Sequence, residues 1–92
     1  MNTGNRSVVF FVSESEYPKL QRACPGDFPF TYAEFVARVD EGIKHLPEGF
    51  TIVKVNVDVR EFIAWCADTE VKPDNKARSR YAVLLDHRLR LN

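Results

Sequence analysis

Few side chains in this sequence could support covalent or metal chemistry, and they are Cys24, His45, Cys66 and His87. A catalytic cysteine must ionise, which an orienting base or a helix N-terminus promotes. Cys24 instead precedes Pro25 at the predicted end of a helix, where the helix dipole disfavours a thiolate. Cys66 falls on the apolar stripe of another predicted helix, as buried structural cysteines often do. The pattern therefore favours two buried thiols, and a small thiol-dependent enzyme stays as an alternative.

The sequence contains no motif that predicts a metal site or a phosphate-binding site. A zinc site needs about four ligands, and no cysteine or histidine lies at metal-ligand spacing from another. The 4 glycines are scattered and form no phosphate-binding loop, and no serine stands in a nucleophile elbow. His45 is interpreted as a solvated residue near a helix end, close to Glu41. We therefore expect no metal and no cofactor, and a non-enzymatic protein rather than an enzyme.

The charged residues are unevenly distributed, although the formal net charge is zero. Residues 1–71 contain seven Lys or Arg against eleven Asp or Glu, whereas residues 72–92 contain six against two. One arc of the predicted C-terminal helix gathers Lys76, Arg80, His87 and Arg90. Arg78 and Arg88 flank this arc. Such an arc could follow a phosphate backbone or an acidic protein surface.

The basic arc and one tryptophan each allow a second interpretation. The acidic remainder of the chain, and the lack of aromatic residues between the arginines, speak against nucleic acid. The connector that contains Pro73 lacks the tight glycine turn of a helix-turn-helix motif. The arc could also be a solvated face that offsets the acidic remainder. Trp65, at the edge of an apolar stripe, could anchor a partner or close the rim of its own core.

The favoured hypothesis is a non-enzymatic protein-interaction module that could also form a homodimer. Its predicted partner-binding residues are Trp65, Lys76, Arg80, His87 and Arg90. An open strand edge offers a further docking place for a partner protein or a second copy. A nucleic-acid-binding accessory protein that uses the basic C-terminal helix is the alternative. The apolar run at residues 8–12 is too short for a signal peptide, so we expect a cytoplasmic location and no membrane partner.

The best-specified elements are a strand at residues 52–57 and the helix that follows it. Three alternate positions are apolar, which indicates one buried and one wet face, and they are Val53, Val55 and Val57. Asp58 is predicted to cap the helix in a capping box with Glu61, and Val57 with Phe62 forms a hydrophobic staple. One apolar stripe is therefore expected to continue from strand to helix.

Elements before this joint are predicted from similar signals. Residues 7–12 read as a strand that is buried on both faces. Ser15 is the preferred cap of a short helix, because it places Pro18 in the first turn, where no amide hydrogen is needed. Thr31 is predicted to cap the next helix, with Glu34 completing a second capping box.

The last helix is predicted to begin after a cap at Asp74 and to run to about Leu89. Its apolar side is expected to contain Ala77, Tyr81, Ala82, Leu84, Leu85 and Leu89. The order β-α-α-β-α-α favours parallel pairing of the two strands, because a helical crossover joins them. We therefore predict a single α/β domain over residues 1–92, with a two-stranded sheet covered by four helices and a frayed segment at residues 1–6.

Overall fold

The computed structural model of the chain describes residues 5–91. Its elements are β1 (Asn5–Phe11), α1 (Tyr17–Ala23), α2 (Tyr32–Lys44), β2 (Phe50–Asn56), α3 (Val59–Thr69) and α4 (Asn75–Leu91). The two strands form one parallel sheet, with Asn5 opposite Phe50 and Phe11 opposite Asn56. The predicted architecture, two parallel strands and four helices in the order β-α-α-β-α-α, is confirmed.

The joint between β2 and α3 lies at the centre of the core. Val55, Val57 and Phe62 are all buried, and Val53 packs against the same cluster. The predicted inward direction of the alternating valines is therefore confirmed. The carboxylate of Asp58 caps α3 by accepting the amide of Glu61 at 3.0 Å. The second bond of the predicted capping box, from the amide of Asp58 to the Glu61 carboxylate, is not formed among residues 5–91.

Alternation along the strands gives the sheet two differently covered faces. Phe10 meets Phe62 of α3 edge to face, with ring centroids 5.2 Å apart. Phe11 stacks on Phe35 of α2 at 5.6 Å on the opposite face. Residues 8–11 nevertheless all remain half-buried, so the predicted burial of this strand on both faces is only partial. On the face that carries Phe11, α2 contributes one buried residue, Phe35.

The start of α1 differs from the prediction. Its N-cap is Glu16, which makes no side-chain cap bond, so the predicted cap at Ser15 is wrong. The Ser15 hydroxyl instead pairs with that of Ser13. The Glu16 carboxylate accepts the amide of Val59 at 2.9 Å and so caps the first turn of α3, although the two residues are 43 positions apart in the sequence. Pro18 lies in the first turn, as predicted.

The predicted cap and capping box of α2 are confirmed in full. The Thr31 hydroxyl accepts the amide of Glu34 at 3.1 Å, and the Glu34 carboxylate accepts the amide of Thr31 at 2.8 Å. The hydroxyl of Tyr32 donates to the carbonyl of Val12 at 2.9 Å. These bonds fix the first turn of α2 against the end of β1.

Asp74 caps α4 as predicted, accepting the amide of Ala77 at 2.9 Å, and the helix continues to Leu91. Its buried residues are Ala77, Arg78, Tyr81, Ala82 and Asp86. Leu89 is 58% exposed, so its predicted place on the apolar side is wrong. Two charged residues occupy the buried side because each finds an ion-pair partner there.

Part of the predicted frayed segment belongs to β1. Of the predicted frayed segment, residues 1–4 lie outside the described residues. Arg6 belongs to β1, and its guanidinium makes two hydrogen bonds to Asp86, of 2.9 and 2.8 Å. Within residues 5–91, no helix has the length and apolar character needed to cross a bilayer.

Candidate interaction surface on the C-terminal helix

The predicted basic residues lie on the solvent side of α4, and most of them meet in one depression. Lys76, Arg80, His87 and Arg90 are exposed, and Trp65 is half-buried. A shallow groove of about 590 Å³, here called the outer groove, is lined by Ser79, Arg80, Val83, Leu84, His87 and Arg90. The structure thus brings together three of the four predicted basic residues and leaves Lys76 outside the lining.

Helical spacing explains why these side chains share a face. Arg80, Val83, His87 and Arg90 follow one another at intervals of three or four residues, so they project from the same side of α4. Tyr81 and Ala82 project from the opposite side and are buried in the core. Packing of the buried side therefore orients the outer groove.

Apolar side chains form the middle of the outer groove. Val83 is 56% exposed at its centre, and Leu84 is half-buried beside it. Leu89 and Leu91 are also exposed on α4 but do not line the outer groove. An apolar centre with a polar rim is the usual anatomy of a protein interface. Val83 was not predicted as part of this surface, although its spacing from Arg80 and His87 places it on the same side of the helix.

Trp65 closes the rim of the core rather than standing free. Its ring lies 5.4 Å from that of Tyr81 and 6.5 Å from that of Phe62. The guanidinium carbon of Arg80 lies 5.6 Å from the centroid of the Trp65 ring, within the range of a cation–π interaction. Arg80 thus connects Trp65 to the outer groove, with one side of the indole committed to the core.

Arg78 is separate from the basic surface that it was predicted to flank. It is buried, and its Nη1 donates to the Asp27 carboxylate at 3.0 Å and to the Pro73 carbonyl at 2.8 Å. Arg90 is partly neutralised, because its Nε lies 3.2 Å from the Asp86 carboxylate. Hydrogen bonds from Arg6 are the main reason that the pKa of Asp86 lies below its usual range. Asp86 is therefore ionised in the folded protein at neutral pH.

Both cysteines are buried and free. The thiol of Cys24 donates to the carbonyl of Pro73 at 3.2 Å. Burial raises the pKa of Cys24 above its usual range, and the nearby Arg78 offsets only part of this effect. Burial likewise raises the pKa of Cys66. A raised pKa is the opposite of what a thiolate nucleophile needs.

The remaining candidates for chemistry are isolated. His45 lies at the C-cap of α2, exposed, with its Nε2 at 3.1 Å from the Glu41 carboxylate. In the part of the chain that the structure describes, no group of three or more His, Cys, Asp or Glu could hold a metal ion.

Comparison of the chain with known proteins finds no matching protein family, no matching curated protein and no matching solved structure. The case for a function therefore rests on the surface chemistry of the chain itself.

Proposed function

We propose that this protein is a non-enzymatic interaction module that binds an acidic, amphipathic helix of a partner protein along the outer groove. One observation carries the proposal. Val83 is 56% exposed in a groove whose other walls include Arg80, His87 and Arg90. An apolar contact surrounded by basic side chains is complementary to a helix with an apolar stripe and acidic flanks.

The length of the outer groove suits a helix. Its lining runs from Ser79 to Arg90 on a regular α-helix, which is about 18 Å at 1.5 Å per residue. A partner helix of three to four turns would place apolar residues against Val83 and Leu84. Its acidic residues would then face Arg80 and Arg90, where electrostatic complementarity gives orientation and a faster association rate.

Nucleic acid is the second candidate, and the same observation makes it the weaker one. A phosphate backbone would pair with Arg80 and Arg90 but would leave Val83 without an apolar contact. A second copy of this chain is the other possible occupant of the outer groove. The proposal includes a cytoplasmic location, which the two free cysteines support.

A peptide selection tests the proposal. The probe is a phage-displayed library of random peptides of about 16 residues, long enough for a helix of four turns. We expect enrichment of acidic amphipathic sequences. The changes that a selected peptide causes in the amide chemical shifts of the protein should centre on Val83. Val83→Asp should weaken binding by about tenfold or more, because a carboxylate would then face the apolar and acidic side chains of the peptide.

The matched control is Leu91→Asp, the same kind of change at an exposed leucine of α4 that does not line the outer groove. It should leave binding unchanged. Two results would reject the proposal: no enrichment over an unrelated immobilised protein, or selected helices that bind Val83→Asp as well as the wild type.

Two titrations separate the other occupants. Short duplex and single-stranded DNA at low salt would shift the amides of Arg80 and Arg90 if nucleic acid were the ligand. Arg80→Glu and added salt would then remove those shifts. A mass that rises with protein concentration, together with shifts at Val83, would identify a second copy as the occupant.

A further inference from the structure

The outer edge of β1 carries backbone groups without a partner. Successive residues of a strand direct their N–H and C=O groups to opposite edges. The amide of Val57 donates to the carbonyl of Phe11 at 2.9 Å, so the backbone groups of Phe11 face β2. Those of Val9, two residues earlier, face β2 as well. Val8 and Phe10 therefore direct their N–H and C=O groups away from the sheet.

Nothing among the described residues pairs with these groups. Among residues 5–91, the sheet contains β1 and β2 only, and no backbone or side-chain hydrogen bond reaches the outer side of Val8 or Phe10. The edge ends at Val12, whose carbonyl accepts the hydroxyl of Tyr32. Proteins usually block such edges with charges, prolines or a covering segment. Here the open stretch consists of half-buried apolar residues.

A groove of about 300 Å³, here called the edge groove, follows this open edge. It is lined by Val8 and Phe10, by Phe28 and Phe35, and by Asn75 and Arg78 of α4, among others. The first turn of α4 flanks one side and the two phenylalanines flank the other, and the two sides meet where the guanidinium carbon of Arg78 lies 4.9 Å from the centroid of the Phe28 ring. The edge is therefore recessed. A recessed edge is more accessible to one extended chain than to a folded domain. A second copy would bring its own α4 and phenylalanines against these walls.

Arg78 supplies a charge to the edge groove. Its side chain is 11% exposed, and both hydrogen bonds to Asp27 and Pro73 come from Nη1. Nε and Nη2 have no acceptor among the described residues. No side-chain nitrogen or oxygen in that part of the chain is both buried and unpartnered, so these two nitrogens keep contact with solvent. They are available to a carboxylate, the acceptor that a guanidinium prefers.

We infer that the edge groove binds an extended peptide segment of a partner protein, which adds a third strand to β1 and presents an acidic side chain to Arg78. The backbone of the peptide would pair with Val8 and Phe10. Alternation along a strand places successive side chains on opposite sides. The neighbours of the acidic residue would therefore point away from Arg78, toward the side of Phe35, where an apolar residue fits. This inference does not rest on the outer groove.

Proline substitutions test the strand addition without a known partner. The probe is again the random peptide library, and binders to the edge groove are those that Val83→Asp does not affect. Val8→Pro removes the outward amide and keeps the backbone bonds to β2, although it also replaces the half-buried Val8 side chain. Proline is tolerated at a strand edge. We expect this variant to fold and to bind the selected peptides about tenfold more weakly or worse. Val9→Pro removes an amide that faces β2 and should unfold the protein.

Hydrogen exchange gives a second readout that does not depend on mutation. In the free protein, the amides of Val8 and Phe10 should exchange faster than those of Val9 and Phe11. A saturating selected peptide should slow exchange at Val8 and Phe10 specifically. The acidic contact is tested on the peptide, because Arg78 itself supports the fold. Replacing the peptide's conserved Asp or Glu by its amide should weaken binding by about tenfold.

Several results would overturn the inference. These are a selection without enrichment of extended acidic peptides, peptide binding that Val8→Pro leaves intact, and protection that fails to reach Val8 and Phe10. Protection of these two amides that grows with protein concentration in the absence of peptide would identify a second copy instead. Loss of Val83-dependent helical binders alone would reject the proposed function and leave this inference standing.

Discussion

The two sides of α4 use the same types of residue in different ways. On the inward side, Arg78 and Asp86 are buried and bound to residues far away in the sequence. On the outward side, Arg80 is exposed and contacts the rim of the core at Trp65, and Val83 does not belong to the described core. The comparison shows that residue type alone does not decide whether a charge is structural or available. The side of the helix decides it.

The inward charges connect the two ends of the fold. Arg6 at the start of β1 and Asp86 near the end of α4 are 80 residues apart and make a bidentate pair. A bidentate arginine–carboxylate pair fixes direction as well as distance. Removing one member of such a pair leaves the other charge uncompensated. The inward side should therefore be sensitive to substitution, and the outward side should not.

The largest difference should separate two residues that are neighbours on opposite sides. Tyr81→Ala removes a buried ring that packs against Phe62 and Trp65, and it should lower the free energy of unfolding by about 3 kcal/mol. Val83→Ala on the outward side should change it by less than about 0.5 kcal/mol. Urea denaturation of both variants measures the contrast. Equal effects would refute the assignment of the two sides.

Thiol reactivity should show the next largest contrast. Cys24 and Cys66 are buried with raised pKa values, so both should react with a thiol reagent at neutral pH about a hundredfold more slowly than a free thiol. A cysteine introduced by Val83→Cys should react at the rate of a free thiol. Rapid labelling of either native cysteine in the folded protein would support the alternative hypothesis of a thiol-dependent enzyme.

Acid should reveal the ion pair on the inward side. The pKa of Asp86 is lower in the folded than in the unfolded chain, so the folded state binds fewer protons and acid favours unfolding. The stabilisation should be complete above about pH 5 and disappear as the pH falls through the folded pKa. Asp86→Asn should lower Tm at neutral pH, and the difference in Tm between the wild type and this variant should become smaller in acid. Asp68→Asn, on the exposed side of α3, is the control and should follow the wild type throughout.

The smallest effects should come from the outward basic residues. Arg80→Ala loses only its contact with the Trp65 ring and should cost no more than about 0.5–1 kcal/mol of stability. Lys76→Ala should have no measurable effect, since isolated surface charges contribute little. Thermal melts of both variants test this. A loss of stability comparable to that of Tyr81→Ala would show that Arg80 supports the fold.

Local signals predicted much of the fold correctly. The alternating valines before Asp58 and the caps at Thr31 and Asp74 depend on residues within a few positions, and each appears in the structure. The cap of α1 was wrong because Glu16 serves α3, which begins 43 positions later. No short-range pattern records such a bond.

The surfaces were predicted less completely, for a related reason. The spacing of Arg80, His87 and Arg90 placed them correctly on one side of α4. Arg78 was wrongly assigned to flank the same surface. Its partner Asp27 lies 51 positions away, and no residue near Arg78 in the sequence indicates that pair. An open strand edge was predicted as a docking place, but the edge groove itself was not, because it depends on which edge of β1 pairs with β2.

A charge swap across the outer groove tests the central proposal most directly. The measurement is the Kd of a selected acidic helix for wild-type protein and for Arg80→Glu, with the wild-type peptide and with a peptide whose facing Glu is changed to Lys. Each single reversal should weaken binding by about tenfold, and the double reversal should restore it to within about threefold. If Arg80→Glu binds the original peptide as tightly as the wild type, or if the swapped pair gains nothing, the outer groove is not the interaction surface.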